Sequence, residues 1–248
     1  MKKILQDLSY AEVQALAESM GEKKFRVKQL YEGLTQGKKI SGITSLPKSF
    51  KEKLLSEYED ECVAVQNTFV SSDGTEKYLF RLADGNLVEG VLMKYKYGYT
   101  QCGSTQVGCR MGCAFCASTL AGKVRDLTPA EMVDQVLFTQ MDSGEPISNI
   151  VLMGIGEPLD NYDTVMKFLT LVNHPEGLNI GMRHISLSTC GLVDKIDKLA
   201  QRGVQLTLSV SLHAPDDETR SKIMPVNRGI GVERLMDCCR RYFQTTGR

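Results

Sequence analysis

Residues 101–119, QCGSTQVGCRMGCAFCAST, hold four of the chain's eight cysteines. Cys109, Cys113 and Cys116 follow the spacing C-x-x-x-C-x-x-C, and Cys102 lies seven residues before the first of them. On a tight loop this spacing lets three thiolates converge on one inorganic centre. A [4Fe–4S] cluster held only by protein takes four cysteines, so three would leave one iron open for a substrate. The segment therefore predicts a metal centre with one free coordination position, as catalytic zinc sites also have.

Two other interpretations of these cysteines stay open at this point. One is a zinc site completed by Cys102 or by a distant histidine, and the other is a set of unrelated buried thiols. Zinc modules usually offer two C-x-x-C pairs, or one such pair with paired histidines, and the chain has neither pattern. Outside the motif, the other thiols are interpreted as small apolar fillers and two histidines as structural. These residues are Cys62, Cys190, Cys238, Cys239, His174 and His184.

The composition is that of an ordinary globular protein. The 248 residues are 42% hydrophobic and 24% charged, with a formal net charge of zero. No apolar run approaches the roughly 20 residues that a membrane helix needs. The N-terminal MKKILQDLSYAEV lacks the apolar core of a signal peptide, because Gln6 and Asp7 interrupt it. We expect a cytoplasmic protein, in which clustered thiols serve metal or redox chemistry rather than structural disulfides.

The chain after the cysteines alternates strand and helix patterns. Parallel strands with crossover helices are expected from such alternation. Polar or glycine residues follow three successive predicted strands, and in βα barrels and open α/β sheets this edge forms the active site. Those strand ends are residues 154–157, 188–189 and 211–213.

The chain before the cysteines divides into helices and short strands. Ser9 and Glu12 form a capping-box pattern, and residues 9–58 show helical spacing. Asp-Gly turns then separate β-type runs at residues 62–70, 76–82 and 87–95. We predict a helical domain at residues 1–60, a β-hairpin extension at 61–95 and the α/β core at 96–248.

Positive charge is concentrated in the predicted helical domain. Residues 22–53 contain nine Lys or Arg and three Glu, an excess of nine minus three, or six positive charges. Such a surface could bind phosphates through counterion release. A solvated helical surface explains the same charges, and the sequence leaves both interpretations open.

The cysteine motif, with Phe115 before its last cysteine, resembles the signature of the radical S-adenosylmethionine (radical SAM) superfamily. Residues 154–158, GIGEP, resemble that superfamily's Gly-Gly-Glu stretch. Four segments narrow the likeness to the RlmN/Cfr group of RNA methyltransferases, and the resemblance covers nearly the whole chain. These segments are residues 102–109, 153–159, 187–191 and 211–215. The fold implied is an α/β partial radical SAM (βα) barrel, and the resemblance implies that residues 1–60 are a helical accessory domain that binds RNA.

The resemblance implies an enzyme that methylates carbon 2 of adenine in 23S rRNA and tRNA through a methyl-cysteine intermediate. Cfr-type methylation at carbon 8 is the alternative within the superfamily, and a non-catalytic, metal-stabilised RNA-binding module is the alternative outside it. The implied cofactors are a [4Fe–4S] cluster and SAM. The implied partners are 23S rRNA, tRNA and a low-potential electron donor such as flavodoxin or ferredoxin, with a monomeric protein and no membrane.

The resemblance also assigns roles to individual residues. Cys102 matches a second reactive cysteine, which resolves the product complex and leaves the protein transiently as a disulfide. Glu89 falls at the position of a proton acceptor, although a glutamate in a hairpin strand is more often a surface charge. The cluster ligands would be Cys109, Cys113 and Cys116, and the SAM-binding residues Gly156, Glu157, Ser188, Ser211, Leu212 and His213.

One feature departs from the family pattern. The methylatable cysteine of this family lies near the C-terminus in an Ala-Cys-Gly context, and the chain ends at Arg248 without such a stretch. We count about four βα units, where a radical SAM partial barrel has six. Cys238 and Cys239 fall on a predicted helix and are poor substitutes. The hypothesis is therefore a truncated chain that does not complete methylation, and methylated adenine in an RNA digest would refute it.

Overall fold

The computed structural model describes residues 2–59 and 62–248, so the predicted boundary between residues 60 and 61 lies outside the described residues. The α-helices are α1 (Tyr10–Ser19), α2 (Lys24–Thr35), α3 (Lys48–Glu57), α4 (Pro129–Ser143), α5 (Tyr162–Asn173), α6 (Val193–Arg202), α7 (Asp217–Ile223) and α8 (Val232–Thr246). The strands are β1 (Lys3–Ile4), β2 (Tyr58–Glu59), β3 (Val63–Val70), β4 (Glu76–Leu82), β5 (Leu87–Tyr95), β6 (Gly98–Cys102), β7 (Gln106–Gly108), β8 (Lys123–Asp126), β9 (Ile147–Leu152), β10 (Ile185–Thr189) and β11 (Thr207–Val210). No helix among these residues is long and apolar enough to cross a membrane.

Helices α1–α3 pack around an apolar core of their own. The capping box predicted at Ser9 and Glu12 is present and begins α1. Val27 and Leu30 of α2 are fully buried against Phe50 of α3, because apolar residues recur on one face of each helix. The core of this helical lobe, residues 2–57, is thus built by helical periodicity.

Contacts between the helical lobe and the rest of the chain include a hydrogen bond and a stacked aromatic pair. The Asp7 carboxylate accepts a hydrogen bond from the Ala130 backbone N–H at 2.8 Å, at the start of α4. Tyr10 stacks on His174 with 4.9 Å between ring centroids, and Tyr31 meets the same imidazole edge-on. His174 therefore has the structural environment that the sequence predicts for it.

A seven-stranded sheet in the order β11-β10-β9-β6-β5-β4-β3 carries the remaining core. Strands β3 to β6 form an antiparallel meander, while β6, β9, β10 and β11 are parallel. Helices α4, α5 and α6 connect the four parallel strands. The predicted α/β partial barrel is confirmed, and the segment predicted as a hairpin extension supplies β3–β5 of the same sheet.

The parallel strands place their carboxyl ends at one edge. β6 ends at Cys102, β9 at Leu152, β10 at Thr189 and β11 at Val210. Because parallel strands point the same way, the loops that follow them meet above this edge. The cysteine loop, residues 108–122, leaves this edge soon after β6.

The structure adds elements that the sequence patterns do not indicate. β6 escapes detection because Thr100 and Gln101, both polar, are buried in its centre. Residues 217–223 form α7, which is too short for a clear helical repeat. The predicted strand at residues 204–212 is shorter than expected, since only Thr207–Val210 pairs with β10.

Candidate active site

A cavity of about 330 Å³ opens at the carboxyl edge of the parallel strands. The cysteine loop forms one wall, and the ends of β9, β10 and β11 form the other. Eight of the predicted site residues line it together. They are Cys109, Cys113, Cys116, Gly156, Glu157, Ser188, Ser211 and His213. Residues far apart in sequence are therefore brought to one place by the sheet topology.

The cysteine loop is fixed at its base by a short antiparallel pair, β7 and β8. Gly108 has a φ of +72°, and a Cβ there would collide with the Gly122 carbonyl oxygen. The Cys109 backbone N–H donates to that same oxygen at 3.1 Å. Glycine is needed at this position because the two loop ends approach too closely for a side chain.

The three thiols are withdrawn from solvent. Cys109 and Cys113 are 6% and 8% exposed, and Cys116 is half-buried. Burial raises the pKa of the Cys109 and Cys113 thiols, and the negative charges of neighbouring thiolates add to the effect at Cys113. Ionising these buried thiols is unfavourable, and a bound metal cation would offset that cost by neutralising the thiolates.

Glu157 is a buried carboxylate at the cavity wall. One carboxylate oxygen accepts from the Cys190 N–H at 2.7 Å, and the other accepts from the Leu159 N–H at 3.0 Å. Lysines and arginines of the described part of the chain are not among the main influences on its pKa, which burial raises despite these hydrogen bonds. A carboxylate oxygen can accept more than one hydrogen bond, so the group retains capacity for a cationic ligand.

The loop before Glu157 is shaped by close backbone approach. Gly156 has a φ of +109°, and a Cβ there would lie 2.7 Å from the Cβ of Gln106. The Gln106 side-chain oxygen in turn accepts from the Glu157 N–H at 2.9 Å. Gly156 is thus required both by its φ and by the space available, and it sets the direction of Glu157.

A polar network joins this loop to the cysteine loop. The Asp160 carboxylate accepts from Gln106 and from Lys123, each at 2.9 Å, and it also pairs with Arg110. Burial acts to raise the pKa of Asp160, but these donors outweigh burial and lower it. Arg110 directly follows Cys109, so a single ionised carboxylate connects the two walls of the cavity.

The strand ends carry small polar groups and one unusual backbone conformation. The Ser188 and Ser211 hydroxyls lie 3.4 Å apart on β10 and just after β11. His213 has a φ of +58° and packs against Phe115, with 4.6 Å between ring centroids. A non-glycine residue held in this conformation is often found at a binding site. Leu212 does not line the cavity, because its side chain packs against the main core.

Cys102 and Glu89 lie beside the cavity rather than in its wall. Cys102 ends β6, and burial raises the pKa of its thiol, although the Met153 N–H partly offsets this. Glu89 is on the neighbouring β5, half exposed and paired with Lys77. The structure places these two residues on adjacent strands, and their predicted chemical roles remain predictions.

Three residues of the site are not among those that the sequence predicts. Cys190 is buried as a filler would be, but it lines the cavity and its N–H holds Glu157. Gln106 and Arg220 are fully buried polar side chains behind the cavity wall. A glutamine in the cysteine-motif lead-in and an arginine in the charged stretch 216–222 give no sequence signal for burial.

The residues present fit a [4Fe–4S] cluster with SAM. Three thiols line one cavity, and the buried Glu157 carboxylate lines it without an ionic partner among the residues described. Gly156 has no side chain and so leaves room beside that carboxylate. In the described part of the chain, no three His, Cys, Asp or Glu side chains are grouped to hold a single metal ion. A four-iron cluster binds each cysteine through a different iron, so its ligands stand further apart.

The partial barrel and its three-cysteine cavity define a radical SAM protein, and a family model confirms this. Residues 104–246 match the model of the Radical SAM superfamily. A solved structure described as a radical SAM methyltransferase from Sphaerobacter thermophilus superposes with a TM-score of 0.94. It is 38% identical and covers 99% of this chain and 74% of its own.

Two relatives narrow the family further. Each is named "Probable dual-specificity RNA methyltransferase RlmN". The Lachnospira eligens protein is 49% identical over 98% of this chain and 71% of its own length. The Clostridium acetobutylicum protein is 50% identical over 100% of this chain and 72% of its own length. The chain therefore belongs to the radical SAM superfamily and, within it, to the RlmN family.

Proposed function

We propose that the chain is a radical SAM RNA methyltransferase directed to carbon 2 of adenine in 23S rRNA and tRNA, acting in the cytoplasm. The observation that carries this proposal is the cavity in which three cysteines and an ionically unpaired glutamate converge. The names of the relatives support RNA as the substrate. The choice of carbon 2 rests on the likeness of the motifs to RlmN-type enzymes.

The cysteine loop supplies the ligands of the cluster. Cys109, Cys113 and Cys116 would each bind one iron, and neutralisation of their thiolates would offset the cost that burial imposes on them. When bound, the cluster and SAM would supply the radical chemistry that an unactivated adenine C–H requires, with an electron from a donor such as flavodoxin or ferredoxin.

The opposite wall binds and orients the second cofactor. Glu157 would pair with the SAM ammonium, a charge-assisted contact in a site largely withdrawn from water. Gly156 keeps the space next to it free. Ser188, Ser211 and the backbone at Leu212 and His213 would hold the ribose and carboxylate groups. His213 and Phe115 pack together, so a nucleoside bound there would contact both walls.

Cys102 and Glu89 are proposed to act next to the cofactor site. Cys102 would be the resolving thiol that helps to release the product, and Glu89 would accept a proton. All eight cysteines, each within the described residues, are free thiols in the structure. Support for the pair comes from their adjacent strands, because the Glu89 carbonyl oxygen and the loop after Cys102 are joined through the Ser104 hydroxyl at 2.6 Å.

The helical lobe is proposed as an accessory RNA-binding domain. Lys23, Lys24 and Arg26 cluster at the start of α2, where Arg26 lies over the exposed Phe25 ring. An exposed aromatic beside cations can contact both bases and phosphates. Lys28 contributes less free charge, since it pairs with Glu176 at 3.0 Å.

The test is reductive cleavage of SAM by anaerobically reconstituted protein. Wild-type protein with SAM and a low-potential reductant should release 5′-deoxyadenosine and methionine, and Cys113→Ala should not. Cys239→Ala, on α8 away from the cavity, is the matched control and should behave as wild type. Absence of cleavage by a protein that has taken up iron would contradict the proposal.

A second measurement separates the candidate products. After incubation with 23S rRNA or tRNA, mass spectrometry of nucleosides distinguishes 2-methyladenosine from 8-methyladenosine against authentic standards. The 2-methyl isomer would support carbon 2 as the target and would also refute the hypothesis that the chain does not complete methylation. The 8-methyl isomer would support Cfr-type chemistry. One zinc per chain in place of iron and sulfide would instead indicate a metal-stabilised RNA-binding module.

A further inference from the structure

Arg220, on α7, is a fully buried cation behind the cavity wall. Its exposed fraction is 0%, although α7 is otherwise a short, charged surface helix with the sequence DETRSKI. Arginine is rarely buried to this extent unless it is paired with an anion. Its position therefore calls for a physical explanation.

The guanidinium donates four hydrogen bonds from its five N–H groups, all to neutral acceptors. It donates to the backbone oxygens of Leu212 at 3.0 Å, Cys190 at 2.7 Å and Ser211 at 3.1 Å. A fourth bond goes to the side-chain oxygen of Asn227 at 2.6 Å. The three backbone acceptors belong to the loops after β10 and β11, so one side chain ties together two strand ends that line the cavity.

No carboxylate neutralises this charge within hydrogen-bonding distance among the described residues. Asp217 is close enough to act on it, but that carboxylate accepts from the Asn227 amide at 2.8 Å and the Val232 N–H at 2.7 Å. Burial lowers the pKa of Arg220, and negative charge at Cys190, Cys113 and Asp217 acts against this. Ionised thiols of the cysteine site would therefore interact favourably with the Arg220 charge.

The helix that carries Arg220 is also attached to the cysteine loop. The Ala114 N–H, next to Cys113, donates to the Ile223 carbonyl oxygen at 2.8 Å. Met224, at the end of α7, is buried in a small cluster with Cys113 and Cys190. The distance between the guanidinium and the cluster ligands is thus set by fixed backbone contacts.

We infer that Arg220 is the fixed counter-charge and positioning residue of the iron–sulfur site. Its guanidinium holds the two cofactor-binding strand ends together and raises the reduction potential of the cluster that Cys113 helps to bind. This inference rests on the proposed function, because it requires the cluster. Each thiolate ligand brings a negative charge, and reduction by one electron from an external low-potential donor adds another without breaking a bond. A nearby desolvated cation stabilises the reduced state more than the oxidised one.

The test compares cluster reduction potentials in variants that keep or remove the charge. Arg220→Met retains an unbranched side chain of similar length without charge, Arg220→Gln is a second neutral variant, and Arg220→Lys retains the charge without the planar fork. The control is Arg241→Gln, because Arg241 is half exposed on α8 and paired with Asp197. Each protein is reconstituted anaerobically and titrated with dithionite, and the reduced cluster is followed by electron paramagnetic resonance.

The neutral variants should have potentials more negative than wild type, with Arg220→Lys closer to wild type and Arg241→Gln unchanged. A neutral variant that holds the cluster at the wild-type potential overturns the inference. If the neutral variants fold but take up no iron, or do not fold, Arg220→Lys decides: a cluster at the wild-type potential supports the role of the charge, and a Lys variant without a cluster contradicts it. Wild-type protein that takes up no iron would instead overturn the proposed function itself.

Discussion

The helical lobe and the carboxyl edge of the sheet use burial in opposite ways. In residues 2–57 of the described chain, the fully buried side chains are apolar, such as Val13, Leu30 and Phe50. At the carboxyl edge, Gln106, Glu157 and Arg220 are buried together with thiols. Burying polar and charged groups is unfavourable unless they are compensated, so such groups are expected where a ligand completes their environment. The buried groups of the helical lobe therefore serve folding, whereas those at the carboxyl edge serve a binding site.

The largest expected effect follows from the apolar core of the helical lobe. Phe50→Ala should lower the free energy of unfolding by ~3–5 kcal/mol, because it removes a large, fully buried side chain. Denaturant unfolding measures the loss, and iron uptake by the folded protein should not change. Phe25→Ala, in the same lobe but 53% exposed, is the control and should change stability little. Equal losses in the two variants would contradict the described core.

Asp134 is a buried carboxyl outside the cavity. It tests whether burying a charged group without a ligand costs stability. It accepts from the Cys62 thiol at 3.0 Å, and burial raises its pKa to about 7. A carboxyl whose pKa is raised in the folded protein costs no stability below its unfolded value of 3.8, and the cost grows as pH rises from there to about 7. The free energy of unfolding of Asp134→Asn should therefore rise relative to that of wild type as the pH rises. The difference should reach about 4 kcal/mol near pH 8.

Unfolding in urea across pH 4–8 measures this difference. Asp142→Asn, at an exposed position on the same helix, should run parallel to wild type. If the Asp134→Asn and wild-type curves also stay parallel, Asp134 is ionised at no cost, and its environment differs from the one described.

Glu157→Gln tests the cavity edge directly. Loss of the charged partner should weaken SAM binding by roughly 1.5–3 kcal/mol, as for a hydrogen bond to a charged group. Calorimetric titration of the reconstituted protein with SAM gives the affinity. Glu218→Gln, whose side chain is 81% exposed, serves as the control and should bind as wild type does. Unchanged affinity in Glu157→Gln would remove this residue from the cofactor site.

The smallest expected effect concerns the surface of the helical lobe. Replacing Lys23, Lys24 and Arg26 by Gln should flatten the salt dependence of RNA binding by ~0.7–0.9 in slope for each phosphate that is no longer neutralised. Lys28 is left intact, because Glu176 already pairs with it. Lys198→Gln, on α6 and paired with Asp163, is the control. An unaltered slope in the triple variant would return these residues to an ordinary solvated surface.

The sequence predicts the residues that line the cavity better than it predicts the buried residues behind the cavity wall. The cysteine spacing and the strand-end residues around Glu157, Ser188 and Ser211 are local patterns, and the structure brings them into one cavity. Arg220 could not be predicted, because its burial depends on α7 folding back over two distant strand ends. β6 escapes prediction for a related reason, since Gln101 is polar and its burial is decided by neighbouring strands rather than by periodicity.

The central claim is that Cys109, Cys113 and Cys116 together hold an iron–sulfur cluster. The most direct test is alkylation of the folded protein after anaerobic reconstitution, with peptide mass spectrometry to quantify each cysteine and Cys239 as the internal reference. The three motif cysteines should be protected in protein that contains about four irons, and removal of iron by a chelator should expose all three together. Iron-loaded protein in which any of the three reacts as fast as it does after chelation would contradict the claim.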